Sequence, residues 1–175
     1  MGKLKKRRQI LTELHKSWQN AELGKCFQQI GDARDPILTF EVAQASFGAN
    51  KHITFLNYEL IAKLVPLLQD LIGQKLEMHI LVGLKSMFNI LQHFYQQIVQ
   101  LKTTRVSQGV DIARQERIEK CDLSIEAFFQ FKKSQEFLRA LYKGASSEVR
   151  EEAKLLNNLL GDFLNRVKGD AMDCC

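Results

Sequence analysis

KLEMHILVGLKSMFNILQHFYQQIVQLK, residues 75–102, decides the fold class. Within it Ile80, Leu84, Met87, Leu91, Phe94, Ile98 and Leu101 alternate spacings of four and three without a break. That period draws a continuous apolar stripe down one helix. Leu81, Phe88 and Tyr95 form a second stripe beside it. A helix that is apolar over more than one face is covered on more than one side, so the spacing predicts a central helix over about Lys75 to Lys102.

The same period recurs on both sides. Leu4, Leu11, Leu14 and Trp18 share one face of an amphipathic first helix over residues 4–18,. Leu23, Phe27 and Ile30 mark a short second helix, with Gly31 placed to end it as a C-terminal cap,. Asp35-Pro36 reads as an N-cap followed by proline in the first turn, where its missing N–H costs nothing,. A third helix is therefore expected from Pro36 to about Phe47. The next, from about Thr54 to Ile72, is apolar at Ile61, Leu64, Val65, Leu68, Leu71 and Ile72 and carries Pro66 in its interior, where proline removes a backbone hydrogen bond and bends the rod,.

After the central helix, residues 103–110 form a polar joint. Ile118, Cys121, Ile125, Phe128 and Phe129 then mark another amphipathic helix, and Phe137, Leu138 and Leu141 imply that it continues or restarts before Gly144. Ser146 is placed to cap a last helix with Glu148, Glu151 and Glu152 near its start, where the dipole favours acids,. Its buried face is expected to be Val149, Leu156, Leu159, Leu160, Phe163 and Val167. The fold class is thus all-α: six to eight helices in short antiparallel hairpins, an irregular HEAT-like array without an exact internal repeat.

Composition agrees. The chain has 175 residues, enough for one domain with a real core, and is 45% hydrophobic, 26% charged and poor in proline, with two,. No apolar run approaches the ~18 residues needed to span a bilayer, and the N-terminus is charged where a secretory signal would turn apolar, so an intracellular protein is expected. Charge is uneven. Lys3, Lys5, Lys6, Arg7 and Arg8 stand in the first eight residues with no acid among them, leaving 20 basic and 20 acidic residues in the rest. This end is either a solvated helix start or a contact for an acidic surface such as a tubulin tail, nucleic acid or a membrane.

A search for chemistry finds no constellation. No phosphate-binding G-x-x-x-x-G-K-[ST] occurs, and Gly83-Leu84-Lys85-Ser86 has the wrong spacing inside a helix,. His15, His52, His79 and His93 form no metal-binding pair, and the four cysteines show no C-x-x-C spacing,. Neither an enzyme nor a cofactor or metal is expected. Met1-Gly2 lacks the Ser or Thr at position 6 that myristoylation needs. Cys174-Cys175 has the form of one prenylation signal but not of C-a-a-X,. Most of the eleven phenylalanines fall on apolar stripes and are core,. Phe131, two positions past Phe129, cannot share that residue's face and is expected to be an exposed anchor at a partner interface.

One joint is more specific than its local chemistry requires. In QGVDIARQERIEKC, residues 108–121, Asp111 would cap a helix starting at Ile112, Gly109 would allow the turn, and Glu116 with Lys120 is an i, i+4 ion pair in the favourable order,. Arg114 and Arg117 lie three apart on an expected exposed face. This signature resembles that of the C-terminal con80 domain of katanin p80. Leu64-Val65-Pro66-Leu67-Leu68 followed by Leu81-Val82-Gly83-Leu84-Lys85-Ser86 is similar in order and spacing to that domain's proline-bearing and long helices, and Trp18 falls where an early tryptophan is expected. The similarity is best over residues 55–125, weaker over 10–50, and fades beyond 135.

The resemblance implies a non-catalytic regulatory or adaptor subunit that pairs with the N-terminal domain of a katanin p60-type AAA ATPase and modulates microtubule binding and severing. It implies a place in the cytoplasm and cytoskeleton, on microtubules, spindle poles or the centrosome. Katanin p80 also carries a WD40 propeller, absent here, so a short paralogue or an excised domain is expected, with a basic segment 1–10, a con80-like domain 11–168 and a tail 169–175. Candidate partner contacts are Trp18, Arg114, Arg117 and Phe131; candidate contacts to microtubules are Lys3, Lys5, Lys6, Arg7 and Arg8. Nucleic acid is not an expected partner. The alternatives are a helical adaptor for another protein and a peripheral membrane-associated adaptor.

Overall fold

A computed structural model describes residues 2–20, 22–47, 53, 55–103, 112–143 and 146–169. They form eight helices: α1 (Gly2–Gln19), α2 (Leu23–Ala33), α3 (Pro36–Phe47), α4 (Tyr58–Ile72), α5 (Glu77–Thr103), α6 (Ile112–Lys133), α7 (Gln135–Lys143) and α8 (Ser147–Gly169). The all-α class is as expected, and among the described residues there is no strand. Asp111 and Gly109, read as cap and turn before α6, and the terminal Cys174-Cys175 lie outside the described residues.

Helix α5 is central, as its double stripe requires. Leu84, Met87, Ile90, Leu91 and Ile98 are fully buried, and the helix packs against α3, α4 and α8. The two most extensive packings, α5 on α8 and α4 on α6, join helices distant in the chain. The later helices therefore close over α4 and α5. Gly83 permits the close crossing of α4 and α5: a Cβ there would lie 2.7 Å from Ile72 Cγ1 and 3.3 Å from the Leu68 carbonyl oxygen. Across α5 and α8 the Tyr95 hydroxyl donates to Asp162, and Lys85 pairs with Glu148 and Glu152 at 3.1 and 3.7 Å.

Short polar side chains set the helix starts. Asp35 Oδ1 accepts from the Ile37 N–H at 3.1 Å, Asn57 Oδ1 from Leu60 at 2.9 Å, Ser134 Oγ from Phe137 at 3.3 Å and Ser146 Oγ from Val149 at 3.2 Å, which satisfies first-turn donors that have no intrahelical partner. Asn57 thus starts α4 at Tyr58, four residues later than the apolar pattern suggests. Ser134 restarts the chain as α7. Pro66 sits inside α4 with its ring exposed.

Two readings of the sequence are corrected. Gly31 does not end α2; the helix runs to Ala33 and its cap is Arg34, at φ 47°, whose N–H donates to the Gly31 carbonyl. Gly31 serves packing instead, since a Cβ there would stand 3.4 Å from Leu67 of α4. Phe131 is not an exposed anchor. It is 0% exposed, its ring centroid 4.8 Å from that of Phe137. The buried stripe of α6 is Cys121, Ser124, Phe128 and Phe131, at spacings of three, four and three. Its second member is a serine whose hydroxyl donates to the Cys121 carbonyl at 2.7 Å, so a polar residue interrupts the apolar pattern without interrupting the buried face. Phe129 takes the outer position, with the Lys133 ammonium 3.7 Å above its ring.

Candidate functional site

Helix α1 is the least buried of the long helices. Of its described side chains only Leu14 and Ser17 are buried, while Leu11 and Trp18 are each 39% exposed. It leans mainly on α2, and its stripe is only partly covered.

Its N-terminal part is fixed to α3 by one ion pair. Arg7 Nε and Nη2 reach Asp35 Oδ2 at 2.8 and 2.7 Å. Partial burial pushes the Asp35 carboxyl up, but the Arg7 guanidinium and the N–H groups opening α3 outweigh it and hold the group below the usual carboxylate range,. Asp35 therefore caps α3 and anchors α1 at once. Beyond this clip the two helices separate around an apolar groove of about 520 Å³ lined by Leu11, Leu14, His15 and Trp18 of α1, Val42, Ala45 and Ser46 of α3, and Phe55. The starts of α1 and α3 meet at the clip and their C-terminal halves line opposite sides of the groove, so the helices run in the same direction. Trp18 closes the far end edge-on to Phe55, with ring centroids 5.2 Å apart.

All five N-terminal basic residues fall on α1. Lys5 and Arg8 are exposed to solvent, whereas Arg7 is half-buried in the Asp35 pair, so this residue is an intramolecular anchor as well as part of the basic stretch. Arg114 and Arg117 lie on another face, at the start of α6, which packs on α4. They are not equally exposed. Arg117 is exposed, with Nε donating to the Ala113 carbonyl at 3.3 Å, while Arg114 is half-buried. The Tyr58 phenol at the start of α4 is pushed above its ordinary value, first by burial and then by Cys121, with Arg117 opposing. Among the described residues Glu116 and Lys120 form no ion pair. Glu59 is held low by Lys63, 2.8 Å away, with a smaller contribution from Lys120.

The structure thus brings Trp18 and the basic stretch together on one helix and keeps the two arginines apart from them. The groove partners Val42, Ala45, Ser46 and Phe55 were not legible as a site, because nothing in one sequence shows that α1 and α3 separate. The two buried cysteines, Cys26 and Cys121, are free. Burial pushes the Cys121 thiol up to about 12, so neither position nor ionisation suits it to react. Among the described residues no cluster of three or more potential metal ligands occurs, and no helix is long and apolar enough to cross a membrane.

No curated protein is significantly similar to the chain. The family model described as the con80 domain of katanin matches residues 1–160, covering every described element through most of α8. The chain belongs to the katanin con80 domain family.

Proposed function

We propose that this protein is a non-catalytic regulatory subunit that pairs with the N-terminal domain of a katanin p60-type AAA ATPase and modulates microtubule binding and severing. The observation that carries this reading is the family match over residues 1–160, which spans the core helices α4 and α5 and the N-terminal basic helix together. The mechanism is non-covalent. Pairing holds the ATPase, and the positive charge of Lys3, Lys5, Lys6 and Arg8 attracts the acidic lattice surface over roughly a Debye length, ~8 Å at physiological ionic strength. Arg117, exposed on α6, and Trp18, at the groove, are the candidate contacts for a protein partner. Phe131, fully buried, takes no part in it.

Co-purification of the full chain with the N-terminal domain of a p60-type ATPase decides the reading. A complex at micromolar concentrations supports it, and its absence there overturns it. Microtubule co-sedimentation that weakens steeply with salt, and with Lys5→Glu plus Arg8→Glu, supports the electrostatic part.

A further inference from the structure

We draw no further inference here: the strongest candidate, the cavity of about 520 Å³ where the joint between α2 and α3 meets the end of α4 and the start of α7 around Asp70 and Glu136, is an acidic cluster at which nothing in the structure shows what ligand it would hold.

Discussion

Replacing Phe131 by alanine tests the placement on which the fold and the sequence pattern disagree. The ring is 0% exposed, stacked at a tilt 4.8 Å from Phe137 and on the same buried stripe as Phe128. Truncating such a ring loses its transfer free energy and leaves a cavity, together about 3–5 kcal/mol. A domain of this size holds only about 5–15 kcal/mol in all, so the variant forfeits a large part of its stability, and Tm falls by roughly 6–20 °C at about 2–4 °C per kcal/mol. The assay is urea and thermal unfolding followed by far-ultraviolet circular dichroism, with Tyr142→Ala as control. Tyr142 is 74% exposed on α7, and its loss is expected to stay within about 0.5 kcal/mol. Were Phe131 a surface anchor, its truncation would leave Tm unchanged and weaken only binding. A Phe131→Ala protein within about 0.5 kcal/mol of the parent refutes the packing of α6 against α7 and α8.

The remaining predictions probe the other joints. Arg7→Ala is expected to cost about 1 kcal/mol near neutral pH, and Asp35→Ala about 1–3 because it also removes the cap of α3. Asp35 has a depressed folded pKa, so the pair's contribution is fully present above the unfolded value near ~3.9 and is lost as pH falls through the lower folded value. Stability curves of the parent and Arg7→Ala should therefore converge in acid and stay parallel above about pH 5. Gly83→Ala gains helix propensity worth about 1 kcal/mol, yet its Cβ would stand 2.7 Å from a buried Ile72 atom; overpacking of about 1–3 kcal/mol is expected to win, and a raised Tm would refute the close α4–α5 crossing. Cys26 and Cys121, both buried, are expected to resist thiol labelling in the native state and to react on unfolding, read by peptide mapping; rapid native labelling of Cys121 would contradict its burial.

The central helix was legible because one signal governed it. Where a helix is buried on several sides, as at Leu84, Met87 and Leu91, apolar period and burial are the same information,. Caps were legible where side-chain chemistry is distinctive: Asp35-Pro36 and Ser146 act as read. Phe131 was not, because Ser124 in the buried stripe of α6 looks like a break in it until its hydroxyl is seen to donate to the Cys121 carbonyl. Gly31 misled for a related reason. Glycine serves both as a cap and as a point of close helix approach, and the neighbour that decides between them, Leu67, is 36 residues away in sequence. The signature of residues 108–121 pointed to the family through its specificity as a string, while its turn and cap lie outside the described residues. The groove follows from a relation between α1 and α3 that neither helix encodes alone.

That relation also sets a lightly held first helix beside a firm core. Helices α4, α5, α6 and α8 bury one another with fully covered side chains such as Ile61, Leu68, Phe128 and Phe163, whereas α1 is held by Leu14, Ser17 and the Arg7–Asp35 pair. Elements with few buried contacts open locally at a fraction of the global free energy. Hydrogen exchange should show this as amides of α1 exchanging well before those of α5. Uniform protection across both helices would mean that α1 belongs to the same cooperative unit as the core.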